Sequence, residues 1–340
     1  MIEHSSGSTH EVPGMTDAEK DFGATGSSSS LFTPAKPRKG RPITGGFSTD
    51  LDVDVGYATG VDTVAVKDVD ALIKSAGSKI DSKLVAVIRH VATDKFVFSA
   101  LDSFLNKDGG KIEAWSKGGH YDGDHKPPTL SIGLGTSDLD VRSTFVHELL
   151  HYVFDKKDSV LAESESSGGA DHPAIEAIET RYAIIDLIRS GKAPLDKKIE
   201  SDFGQFLKGD DYFPKMRDAI AKDDRSGLTA LVAQPDFVKK TVSSGLLTEA
   251  SSLNFKSSTP EYHYTADQFR DLAFIWAQNA AIVRHAMKTA AAVADKTKTP
   301  LKDVFATADW QKEMNAFLDA FVKGLRKDRT KGAVSLEAKL

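Results

Sequence analysis

The 340-residue chain reads as an α+β fold, a small mixed sheet with an apolar helix against it, followed by a mainly helical C-terminal part. Three observations predict this. Two short strand patterns, "KIEAW" (111–115) and "TLSIGLG" (129–135), stand directly before a nearly uncharged helical run, "STFVHELLHYVFD" (143–155). Beyond about residue 173 the long apolar stripes recur at helical rather than alternating spacing. The length matches one catalytic-sized unit plus an accessory part, at ~100–200 residues per domain. The expected division is a leader over 1–48, an α+β domain over 49–195 and a helical subdomain over 196–340.

The leader is rich in Ser, Gly, Pro and Thr, carries "GSSSS" and "AKPRKGRP", and lacks apolar periodicity, so it reads as disordered. "DLDVDVG" from Asp50 begins like a calcium loop, but Val55 stands at the sixth position instead of Gly and Val61 at the twelfth instead of Glu. A surface strand or loop is the better reading there. "VDTVAV" (61–66) predicts a strand. Helical patterns follow from Val69 to Lys74 and from Asp81 to about Asn106, the second with Leu84, Ile88, Val91 and Phe98 roughly on one side.

"KDGGK" turns the chain into the 111–115 strand, and "KGGHYDGDHKPP" reads as a Gly/Pro-rich loop. In "TLSIGLG", Leu130, Ile132 and Leu134 alternate with small or polar residues, as in a half-buried strand. Ser137 or Asp138 would cap the next helix, at about 139–154. "HPAIEAIETRYAIIDLIRSG" is a further helix, with Pro173 in its first turn and Gly191 just past its end. Two long helices close the chain. One spans 266–292, with Phe269, Leu272, Ala273, Trp276, Ala280, Val283 and Met287; the other spans 300–326, with Trp310, Met314, Phe317 and Phe321. Their aromatic stripes are core.

Composition narrows the function. A net charge of −5 provides no basic field for phosphate backbones, so no nucleic-acid partner is expected. Without cysteine there are no disulfides, thiolate metal sites or cysteine nucleophiles, and any metal must be held by His, Asp or Glu. The most apolar stretch, "LAFIWAQNAAIVRHAMKTAAAV", is broken by Gln278, Asn279, Arg284 and His285, so no membrane span is expected. "MIEHSSGSTHEVPG" lacks the basic and apolar regions of a signal peptide. The expected location is cytoplasmic, or outside the cell by a route without a cleaved signal.

The motif at 147–151 carries the chemistry. On a helix, His147 and His151 are one turn apart on one face, where two neutral imidazoles can grip one ion, and Glu148 is a neighbour around the turn. Zinc held by three protein ligands keeps a fourth position for water and lowers its pKa toward ~7, leaving a carboxylate to take the proton. The bland alternative is a pair of satisfied core histidines. Thr144, Phe145, Val146, Leu149, Leu150, Tyr152 and Val153 are all uncharged, so the helix is expected to be buried on both sides. Burying His147, Glu148 and His151 unpaired would be costly, and a cation removes that cost.

"TFVHELLHYV" resembles the extended signature of the zincin metallopeptidases at every position, and the likeness covers about residues 129–183. It implies a zincin-like domain containing Zn2+, a protein or peptide substrate, and "TLSIGLG" as the edge strand on which an extended substrate lies by strand addition. The metzincin continuation is excluded, because Phe154 and Lys157 occupy its Gly and last His places. The gluzincin form, which takes a Glu from a later helix, fits better. "EAIETRYA" resembles the gluzincin ligand segment with Glu176 in the ligand place, Tyr182 at +6 and Ala183 at +7. It departs at +3, where Glu179 replaces a small residue, and at +4, where Thr180 replaces the Asp that orients a ligand histidine.

Glu176 is the preferred third ligand and Glu179 the alternative, since Glu179 lies nearer the Ile175, Ile178, Tyr182, Ile185 stripe. Asp158 and His172 are outside candidates. His120, Tyr121, His125, Tyr262, His263 and Tyr264 are candidates for binding the oxyanion or product, though no spacing rule selects among them. The expected function is a zinc endopeptidase with Glu148 as general base, in the cytosol or as a toxin or effector. The rival is a helical interaction protein with a structural metal or none.

Overall fold

The computed structural model describes residues 63–116, 118–135, 137–156, 172–204, 211–234, 237 and 266–329. The expected leader therefore lies outside the described residues, as do Asp158, Tyr262, His263 and Tyr264. Among the described residues the protein is mostly helical with one three-stranded mixed sheet, an α+β architecture. No described helix is long and apolar enough to cross a membrane.

Of the strand expected at 61–66, residues 61 and 62 lie outside the described residues and 63–66 form no strand. Thr63 forms only an isolated bridge to Asp94, and helix α1 (Val66–Ala76) begins where the strand was to end. Val69, Leu72 and Ala76 recur at helical spacing and are buried, which overrides the β-branched residues before them. The long helix expected over 81–106 is broken into α2 (Val85–Val91) and α3 (Lys95–Asp102), followed by a π-helical turn at Ser103–Lys107. Asp94 makes the break, its carboxylate accepting the Val97 amide as an N-cap. Leu84, Ile88 and Val91 are buried as expected.

Strand β1 (Lys111–Trp115) matches its expected span. A second strand, β2 (Gly119–Asp122), forms inside the segment read as a loop. Strand β3 (Thr129–Gly133) is not the edge but the centre, parallel to β1 on one side and antiparallel to β2 on the other. Its buried residues run continuously from Leu130 to Gly133 instead of alternating, as a central strand requires. The β1–β2 connection arches over the end of β3, where the Gly133 amide donates to the Gly118 carbonyl at 2.6 Å.

Helix α4 (Asp138–Lys156) runs back along this sheet, and Ser137 caps it by accepting the Asp140 amide at 3.2 Å. It packs on β2 and β3, with α2 and α3 beside it and α5 (His172–Arg189) against another side. Phe145, Val146, Leu149, Leu150, Tyr152 and Val153 are all buried, so the motif sits in a helix surrounded by protein. Helix α6 (Lys197–Gly204) packs on α5, and α7 (Tyr212–Ala221) pairs with α8 (Arg225–Ala233).

Helix α9 (Ala266–Thr297) packs along α5 and α8. Its Asn279 donates to the Ala177 carbonyl at 2.8 Å and accepts from Arg181 Nε at 3.1 Å, and the buried Arg181 guanidinium also meets Gln278. The last helical pattern is again broken, into α10 (Leu301–Val304) and α11 (Ala308–Arg329), with Thr307 accepting the Trp310 amide at the second start. Trp276, Ala280, Val283, Met287, Trp310 and Met314 are buried as their stripes predict.

Candidate metal centre

Helix geometry splits the surface of α4 into two adjoining ridges. Thr144, Glu148 and Tyr152, four residues apart, face β2, whereas His147 and His151 form the next ridge toward α5. The two imidazoles sit with ring centroids 5.0 Å apart and planes at 65°. They are half-buried, and Glu148 beside them is only 7% exposed.

Glu148 lies directly beneath β2. At Gly119 there is no room for a side chain, because a Cβ would collide with the Glu148 carboxyl and come within 2.7 Å of Thr144 Cγ2. The bare backbone of the strand thus rests on the carboxylate. Burial raises the Glu148 pKa, only partly offset by the nearby imidazoles of His147, His151 and His120. A carboxyl so placed is closer to exchanging a proton near neutrality than a surface glutamate is.

His147 is held from behind. Its Nδ1 lies 2.9 Å from Glu179 Oε2, and the second oxygen, Oε1, lies 2.9 Å from Lys198 Nζ on α6. Burial works against the charged imidazole, but the hydrogen bond and charge of Glu179, with the charges of Glu148 and Glu176, raise the His147 pKa on balance. Burial would raise Glu179, yet its bond to His147 and the Lys198 charge leave it lowered. The network continues to Asp202, which pairs with Lys198 at 3.2 Å and accepts from the Thr180 hydroxyl at 3.0 Å.

Two histidines on one ridge, one already bonded through Nδ1 to a carboxylate, are a donor set that suits zinc. A ligand imidazole with this outer bond coordinates through Nε2. Glu176 is half-buried one turn before Glu179, and its charge is felt at His147. Glu179 instead has both oxygens engaged, one on His147 and one on Lys198. Among the described residues no three His, Asp or Glu side chains already form a ligating group.

The other expected residues are dispersed. Tyr121 meets Tyr152 edge to face at 6.0 Å, and Tyr152 donates to Asp108 at 2.6 Å. His125 is exposed, its amide donating to Asp122. His120 is exposed beside Trp115 on the outer sheet face, near enough for its charge to reach Glu148. His172 opens α5.

Three residues of the site escaped sequence reading: Gly119, Lys198 and Asp202. The "GG" before "HYD" marked a close backbone approach, and Lys198 with Asp202 forms an i,i+4 pair within "KKIESDFG". No family model matches the chain, and no curated protein or solved structure is detectably similar to it.

Proposed function

We propose that the protein is a zinc-dependent endopeptidase, with His147, His151 and Glu176 as metal ligands and Glu148 as general base. The observation that carries this is the position of Glu148: a buried carboxyl of raised pKa between an imidazole pair and the bare backbone of an edge strand. When bound, zinc supplies a Lewis acid that polarises an amide carbonyl and acidifies water. Glu148 takes a proton from the attacking water and passes it to the leaving amine. Glu179 orients the His147 ring.

The substrate strand is assigned to β2 in place of "TLSIGLG", because β3 is flanked on both sides and β2 pairs only with β3 among the described residues. An extended peptide added to the outer edge of β2 would pass beside Gly119 and so over Glu148.

The rival reading, an interaction protein whose histidines are structural, draws on one observation. His147, Glu179 and Lys198 already compensate one another without a metal ion. The test is Glu148→Gln, which keeps side-chain size and hydrogen bonding but removes the basic carboxylate. The wild-type protein should bind close to one zinc per chain and cleave denatured protein substrates. The variant should keep the metal and the fold and lose at least ~100-fold in cleavage. Wild-type-like cleavage by the variant would sink the assignment of Glu148, and wild-type protein that takes up no zinc would sink the enzyme.

A further inference from the structure

We propose that Lys198 and Asp202 on α6 are positioning residues that keep Glu179 on His147, and that they thereby select Glu176 over Glu179 as the third ligand. This inference rests on the metal-site reading above and extends it to a helix outside the resemblance.

Glu179 is 8% exposed at its side chain and stands between two cations or potential cations, with one oxygen for each. Lys198 alone would leave its own stem a choice of partners. Asp202, one helical turn on, holds the ammonium from the other side at 3.2 Å. Thr180 fixes Asp202 in turn, and its hydroxyl, with a single proton to share, lies 2.7 Å from the Glu176 carbonyl and 3.0 Å from Asp202. The chain of contacts therefore begins and ends on the α5 turn that carries both glutamates.

Without Lys198, a buried carboxylate would retain His147 as its one cationic partner in this network. A metal ion near His147 and His151 would then draw Glu179 forward, in competition with Glu176, and His147 would lose its outer bond. Outer-shell partners of this kind are worth about 10- to 100-fold in metal affinity.

The test is zinc affinity of the full-length protein, measured by competition with a chromogenic chelator. Lys198→Met should weaken zinc binding by about 10- to 100-fold, and Lys198→Arg, which keeps a cation within reach of Glu179, should recover most of the loss. Asp202→Asn should weaken it several-fold. Circular dichroism and thermal melting of the metal-free proteins report whether each is folded.

Folded Lys198→Met with wild-type affinity overturns the proposal, and so does an equal loss in Lys198→Arg, which would mark a packing role. If Lys198→Met does not fold, Asp202→Asn decides: unchanged affinity overturns the proposal and a several-fold loss supports it. Wild-type protein that binds no zinc overturns the site reading itself, a result visible before any variant is compared.

Discussion

Helix α5 is tied to its neighbours by two polar junctions two turns apart, each made of an imidazole, a carboxylate and a cation. At one, Glu179 joins His147 of α4 to Lys198 of α6. At the other, Asp186 joins His90 of α2 to Arg142 of α4, whose Nε and Nη2 both reach Asp186 Oδ2 at 3.0 and 2.9 Å. Both carboxylates are almost fully buried. Such a triad is thus an ordinary way to fasten helices in this protein.

The surroundings differ. His90 uses Nε2 itself for Asp186 and is 42% exposed, whereas His147 uses Nδ1 and is 18% exposed, with His151 one turn on and Glu148 beside it. The Asp186 junction borders a cavity of about 120 Å³ lined also by Tyr182, Arg189 and Asp94. Among the described residues it has no second imidazole. The functional reading therefore lies in what the first junction adds, a second histidine, a buried acid and an edge strand, and not in the triad.

Metal content separates the two junctions most clearly. His147→Ala or His151→Ala should abolish zinc binding and peptide cleavage together, whereas His90→Ala should keep one zinc per chain by elemental analysis. Equal zinc loss in all three would show that the junctions are not distinct. Asp186→Ala removes the carboxylate that pairs with the half-buried Arg142 guanidinium and should cost about 3 kcal/mol in urea unfolding, with zinc content unchanged. If that variant loses metal before it loses stability, the second junction belongs to the site.

Gly119→Ala sharpens the contrast from the other side. The added methyl must displace Glu148 and Thr144, so cleavage should fall about 10-fold or more through misplacement of the base while zinc content stays close to one per chain, and overpacking should cost about 1–3 kcal/mol in stability. An unchanged rate would mean that β2 does not bear on the chemistry.

The smallest effect is one of pH. Burial, with repulsion from Glu179, raises the Asp202 pKa to about 6 despite Lys198 and Thr180. Between the unfolded value of 3.8 and about 6 the folded state holds a proton that the unfolded state has lost. This contribution to stability therefore rises as pH falls, by about 1 kcal/mol from pH 7.5 to 5. Asp202→Asn should remove that increment from the difference between the two proteins' unfolding curves. Identical slopes would show that Asp202 titrates normally.

The motif helix, its Ser137 cap and the helix from His172 to Arg189 were legible because capping residues, apolar period and breakers agree there. The breaks at Asp94 and Thr307 were not, since a capping side chain inside an apolar stripe leaves the period intact. Strand β2 escaped because four residues that begin with Gly119, directly behind Gly118, show no alternation, and its pairing to Ile132 and Leu130 is a tertiary fact. The same holds for Lys198 and Asp202. Charged residues on a short helix look solvated until the helix is seen packed on α5, and their burial decides their role.

The link between Asn279 and Ala177 has a kinetic side. The sheet, α4 and the contacts between them lie within about 45 residues of chain (111–156), so the loops that close them are short. Fixing α5 against α9 joins residues 102 apart, and by loop-closure entropy such pairings form later than local ones. Glu148 and the imidazole pair are thus set in an early-forming unit. The turn with Glu176 and Glu179 meets that unit through Glu179 and His147, 32 residues apart, and gains its Asn279 buttress only when α9 docks, which makes the last support of the site a late event in folding.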